Sequence, residues 1–132
     1  MTAENVSIVL RGADLFNRAE VDAMMLLWHP DSQYLDHRPI GWETMNREQV
    51  LELNCSAHTV VADVHRQTTI VADPGDSVVC LVRLSGHAVE GGGEVELDYA
   101  EVTVVRDGLI MRRDIYAGVD EALSSVGISS QT

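Results

Sequence analysis

Positive charge is the scarcest resource in this 132-residue chain, which sets nine Lys plus Arg against 21 Asp plus Glu for a formal net charge of −12. A surface that acidic repels phosphate backbones and anionic headgroups, so neither nucleic acid nor a membrane surface is an expected partner. Cysteine is almost as sparse. Cys55 and Cys80 are far apart, in apolar surroundings and without Cys-x-x-Cys spacing, which reads as reduced core thiols rather than a disulfide framework. Long apolar runs are missing too: the longest, Ala23 to Trp28, is far too short to span a bilayer, and no basic region with an apolar stretch opens the chain. The expectation is a soluble, cytoplasmic protein.

Several chemistries lack their signatures. No His-x-His or His-Glu-x-x-His spacing joins His29, His37, His58, His65 and His87, so no metal is expected. There is no Gly-x-Ser-x-Gly elbow and no Gly-x-Gly-x-x-Gly loop. Gly91 to Gly93 is followed by alternating residues rather than a helix, which makes it a hairpin and not a phosphate cradle. Chemistry without a cofactor is the simplest fit.

What is present divides into a helical first half and an alternating second half. Val6, Val9, Leu10, Ala13 and Phe16 recur at helical spacing behind a possible cap at Thr2, with Gly12 weakening the centre. Asn17 and Glu20 resemble a capping box before a second helical face of Val21, Met24, Met25 and Trp28, stopped by Pro30. Gln33 to Asp36 reads as a short strand, Arg38 to Thr44 as a loop, and Asn46 with Gln49 caps a third helix reaching about Ala57. The period then changes to two over Val60 to Ala72, Ser77 to Glu90, Glu94 to Arg106 and Leu109 to Ala117, with a short helix at Asp120 to Ser125. Helices first and an antiparallel meander afterwards predict a single α+β domain over residues 1–127, the helices covering one face of a curved sheet, with a polar tail at 128–132.

The charged cluster of Tyr34-Leu-Asp-His-Arg-Pro-Ile-Gly41, where a strand meets a Pro/Gly turn, is the first place to look for chemistry. Turn lengths suggest a second. If Asp107-Gly108 is a two-residue loop and Gly91 to Gly93 a three-residue loop, Arg83, Glu101 and Asp114 lie side by side on three adjacent strands. Two opposed carboxylates on a mostly apolar face predict a raised pKa on one of them, a bridge to Arg83, or both. The trio would floor a cavity and supply a general acid or oxyanion donor, or else face solvent.

The helix Ala19-Glu-Val-Asp-Ala-Met24, the strand-turn Tyr34-Leu-Asp-His37, the helix start Asn46-Arg-Glu-Gln-Val50 and the ending Arg113-Asp-Ile-Tyr116 with Asp120-Glu-Ala-Leu123 follow one another over residues 6–125. In order and spacing they resemble the nuclear transport factor 2-like superfamily, which includes ketosteroid isomerases, SnoaL-like polyketide cyclases and limonene epoxide hydrolases. The resemblance implies a curved α+β cone. It places Asp36 where the isomerases have their general base and Glu101 where they have the acidic donor of the oxyanion hole. The tyrosine of that hole would fall near Gly12, so Tyr34, Tyr99 or Tyr116 would have to substitute. Against the epoxide hydrolases, Asp114 matches one catalytic aspartate, while Arg83-Leu-Ser85 lacks the second.

Two functions follow. One is a small enzyme acting on an apolar, cyclic molecule, with Asp36, Glu101 and Asp114 as catalytic groups and Tyr34, His37, Arg83, Tyr99, Tyr116 and Trp28 binding substrate. The other is a non-catalytic ligand-binding or dimerisation module, with Asp36, His37 and Arg38 as a loop network. Strong acidity and an alternating sheet suit a homodimer formed sheet to sheet in this second reading.

Overall fold

The computed structural model describes residues 2–39 and 44–128. The expected side-chain cap at Thr2, the part of the Arg38-to-Thr44 loop at residues 40–43 and the tail from 129 lie outside the described residues. Helices α1 (Thr2–Asn17) and α2 (Val21–Met25) lead into strand β1 (Trp28–Asp36). A short β2 (Thr44–Asn46) and helix α3 (Arg47–Val60) follow. Four strands, β3 (Val61–Ala72), β4 (Ser77–Ala88), β5 (Glu94–Arg106) and β6 (Leu109–Tyr116), precede a final α4 (Val119–Ser125).

The six strands form one sheet in the order β2-β1-β6-β5-β4-β3. The meander β3 to β6 is antiparallel as expected, but β1 joins β6 in parallel, so the sheet is mixed. Helices α1 to α3 cover the inner face, where Val9, Phe16, Met25, Val50, Val82 and Ile110 make the main core. Helix α4 covers part of the outer face over Val79, Ala100 and Val102.

Helix α3 starts where the sequence indicates. Asn46 accepts from the Gln49 backbone N–H, and the Gln49 side chain accepts from the Asn46 N–H. The second helix is shorter than its apolar face suggested. It ends at Met25, and Trp28 opens β1, because the Leu27 carbonyl accepts from the Ile110 N–H and draws the segment onto the sheet edge. Asn17 is not a helix cap either. Its amide donates to the Arg66 carbonyl at 2.9 Å and accepts from the Arg66 N–H at 2.6 Å, which ties the end of α1 to β3. Asn17→Ala should therefore cost about 1–2 kcal/mol in urea unfolding, the loss of both bonds to a part-buried peptide group. A true helix-cap role would instead show up as lost helix content. Cys80 is buried as expected, whereas Cys55 sits on the solvent side of α3.

Besides register shifts between Trp28 and Gln33 in β1 and between Ile70 and Ala72 in β3, two irregularities decide the neighbours of the site. Between Ala62 and His65, β3 carries one residue more than β4, with Asp63 at a φ of 54°. Gly86 lies opposite, where an added Cβ would come within 2.6 Å of Val61 Cγ1 and 2.7 Å of the Ala62 carbonyl. The second is in β6: Val105 faces Ile110 but Val104 faces Arg112, so Met111 bulges out of the ladder.

Those details overturn the expected neighbours of Glu101. The loop after β4 runs through residues 89–93, with Ala88 accepting from the Gly92 N–H and donating to the Gly93 carbonyl, so it is longer than three residues. Arg83 consequently faces Asp98, and Cys80 faces Glu101. The Met111 bulge puts Ile115, not Asp114, beside Glu101. Each displacement is odd-numbered, and an odd slip turns a side chain to the other face of a sheet.

Candidate functional site

The inner face collects one parity from each strand. Tyr34 faces Arg113 and Asp36 faces Ile115 across β1 and β6. Arg113 and Ile115 face Thr103 and Glu101 on β5. Tyr99 and Leu97 face Val82 and Leu84 on β4, and Leu84 faces Arg66 on β3. Over them lie Phe16 of α1 and Val50, Leu53, Asn54 and Ala57 of α3. A cavity of about 180 Å³ remains between the layers. Trp28, Tyr34, Arg38, Arg66, Leu84, Leu97, Tyr99, Glu101, Arg113 and Ile115 complete its wall. Leu53 and Leu97 are each about 40–45% exposed and give the mouth an apolar rim.

The floor is charged. Glu101 is fully buried and its Oε1 accepts from Arg66 Nη2, while Arg113 Nε stands 3.5 Å from Oε2. Arg113 Nε also donates to the Thr103 hydroxyl at 2.9 Å, and its guanidinium lies 5.0 Å over the Trp28 ring. Burial alone would push the Glu101 carboxyl up, but the Arg113 and Arg66 charges and the Arg66 hydrogen bond outweigh it and hold it below the ordinary carboxylate range. The acid is thus an ionised acceptor, not the proton-bearing donor expected from opposed carboxylates. Cys80, beneath it, is pushed up to about 12 by burial and then by the Glu101 charge, which leaves an unreactive thiol.

Asp36 ends β1 on the inner face and is buried, but it is not itself among the residues lining the cavity, which it meets through Arg38. Arg38 grips it: the Arg38 backbone N–H and Nε donate to Oδ1 at 3.0 and 2.9 Å, and Nη2 donates to Oδ2 at 2.6 Å. The same guanidinium sits 5.3 Å from the centre of the Tyr99 ring, inside the cavity wall. Burial raises the Tyr34 pKa most, Tyr99, Asp36 and Glu101 add to that, and Arg38 lowers it. Burial likewise raises Tyr99 against the pull of Arg66. Both phenols stay protonated at neutral pH and are available as hydrogen-bond donors.

The structure therefore brings Asp36, Glu101, Tyr34, Tyr99 and Trp28 to the inner face and leaves the other expected site residues on the outer one. Arg83 is half exposed and bidentate to Asp98. Asp114 faces Val102 and is held by Arg112 and by His37 Nε2 at 2.8 Å, with His37 stacked on Tyr116. Burial would raise Asp114, but hydrogen bonds from Arg112 and His37 win and lower it. The expected trio of Arg83, Glu101 and Asp114 is not formed. Arg38, Arg66 and Arg113 stand on the wall instead. Arg66 was detectable, because it shares the parity of Val64 and Ile70 in an alternating strand. At the position that the isomerase comparison left without a tyrosine, Gly12 packs toward Leu27, and α1 offers the cavity Phe16. Among the described residues no group of three His, Cys, Asp or Glu side chains is placed to hold a metal ion, and no helix is long and apolar enough to cross a membrane.

A family model described as the SnoaL-like domain matches residues 9–113. The chain belongs to the SnoaL-like family. No curated protein matches the sequence closely enough to count as a relative. Solved structures share the fold at low identity. A protein of ketosteroid isomerase-like fold from Catenulispora acidiphila, in complex with trimethylamine, superposes with a TM-score of 0.72 at 22% identity, over 95% of each chain. A protein described as a SnoaL-like polyketide cyclase from Jannaschia sp. CCS1 gives 0.75 at 19%, covering 100% of this chain and 96% of that one. The epoxide hydrolase/cyclase-like enzyme SalBIII, described in pyran ring formation in the polyether salinomycin, gives 0.71 at 15%, over 88% and 92%. The nuclear transport factor 2-like α+β cone expected from the sequence is the fold of this SnoaL-like domain.

Proposed function

We propose that this SnoaL-like protein binds an apolar, cyclic molecule in the inner cavity and acts on it by proton transfer, as an isomerase, cyclase or hydrolase, with Asp36 as the base. One observation carries the reading: buried Asp36 is bound by the guanidinium of Arg38, which lines a cavity that also presents Tyr34, Tyr99 and Glu101 among apolar side chains. A ring system would enter past Leu53 and Leu97 and lie against Trp28 and Phe16. Its polar end would meet the arginines and tyrosines, where donors held in place stabilise negative charge as it develops. Arg38 has to loosen its grip before Asp36 can take a proton, so ligand binding and exposure of the base are linked.

That same grip supports a second reading, a binding module without turnover. In it Arg38 and Asp36 are simply a closed ion pair of which the arginine faces the pocket. Asp36→Asn separates the two. On any member of a panel of cyclic ketones and epoxides that the wild type turns over, the variant should be about 10²–10⁴-fold slower, the usual worth of a positioned base. Its ligand dissociation constant should change only a few-fold. Undiminished turnover would rule out Asp36 as the base.

A further inference from the structure

The cavity floor sets a donor beside an acceptor. Glu101 is fully buried and lines the cavity, yet among the described residues its Oε2 has no hydrogen-bond partner. Arg113 is the nearest cation, its Nε 3.5 Å away, too far for a good hydrogen bond and already given to Thr103. Among the described residues no hydrogen bond uses the Arg113 Nη atoms, which belong to a guanidinium lining the same cavity. A buried carboxylate oxygen left without a donor is costly, and on a residue of the cavity wall it invites a ligand O–H that displaces the side chains covering it. Charge adds to this. Asp36 and Arg38 cancel, whereas Arg66 and Arg113 together exceed Glu101 by one positive charge.

Resting on the reading of this cavity as a ligand pocket, we propose that its ligands carry two neighbouring oxygens, one donating a hydrogen bond to Glu101 Oε2 and the other accepting from Arg113, as in an aromatic vicinal diol, an enediol or an α-hydroxyketone. Such a pair satisfies both floor groups at once. The accepting oxygen gains from the surplus positive charge, and the fused or single ring behind it fills the apolar part of the cavity. A lone ketone or ether oxygen leaves Glu101 without its donor, and a lone hydroxyl has to serve both groups from one atom, whereas the pair gives each group an oxygen of its own.

The test is a titration of the whole protein with naphthalene-2,3-diol, 2-naphthol, 2-methoxynaphthalene and naphthalene. These share one ring system and differ only in the donor and acceptor they present. The diol should bind about tenfold tighter than 2-naphthol, and 2-naphthol about tenfold tighter than 2-methoxynaphthalene, the size expected for hydrogen bonds to charged groups. Arg113→Met keeps the Arg66–Glu101 pair and should erase the advantage of the diol over 2-naphthol. Glu101→Gln should erase the advantage of 2-naphthol over its methyl ether; if that variant does not fold, the wild-type series decides. Four equal affinities would overturn the paired-oxygen proposal and leave the pocket reading standing. No binding by any of the four, naphthalene included, would overturn both.

Discussion

Glu101→Leu is expected to lower the stability of the fold by about 3–5 kcal/mol, because it leaves the largely buried Arg66 and Arg113 charges without their carboxylate. Urea unfolding checks this, and a fall of roughly 10–20 °C in melting temperature should accompany it. Replacing Arg66 by Met in the Glu101→Leu background should recover part of the loss, since one of the two orphaned charges is then gone. The pH profile gives a second readout. The Glu101 carboxyl is held lower in the folded protein than in the unfolded chain, so between the two values the unfolded chain binds more protons. Its stabilising share is present above the ordinary carboxylate range and is lost as the pH falls through the lowered folded value. Asp114 contributes with the same sign. The wild type should thus lose stability steeply on acidification, and Glu101→Leu should show a shallower limb that retains the share of Asp114. An unchanged acid limb would mean that the floor is not ionised.

The next largest effect is expected at Gly86. Alanine there would drive a methyl group into Val61 and into the Ala62 carbonyl, where the bulged part of β3 passes close to β4. The neighbour at 2.7 Å is backbone and cannot swing aside. The cost should be about 3 kcal/mol by chemical denaturation, in the range of overpacked sites. Gly93→Ala is the control: nothing lies within 4 Å of its added Cβ, and a change within about 0.5 kcal/mol is expected.

The fold was legible because its signals are local. The switch of period after α3, the Asn46–Gln49 capping box and the Asp107-Gly108 turn each fix an element from a few neighbouring residues. The site was legible only in part, because a site depends on register, and register depends on single inserted residues. Met111 bulges for reasons that no alternation of apolar and polar residues reveals, and it sends Asp114 outward to His37 and Arg112. The longer loop at residues 89–93 does the same to Arg83, which goes to Asp98. Asp36 survived as an inner-face residue because β1 was placed by its own turn. Its partner Arg38 was visible in the sequence as a neighbour, but only the folded strand end shows that it closes over the carboxylate from inside the wall. Trp28 reached the cavity by a different route from the one its helical spacing implied, since the sheet edge overrides local helix preference.

The parallel ladder between β1 and β6 also dictates when the pocket comes into being. Tyr34 and Arg113, which face each other across it, are separated by most of the sequence, so joining them closes the longest loop in the sheet. Contacts of such separation are entropically expensive and form late unless the intervening chain is already compact. During synthesis, β1 has no permanent neighbour on that side until β6 has emerged. The meander of β3 to β5 can assemble first, and the arrival of β6 then completes the sheet, buries Glu101 between its two arginines and walls the cavity in a single event. A chain stopped short of β6 has neither a finished sheet nor a ligand site.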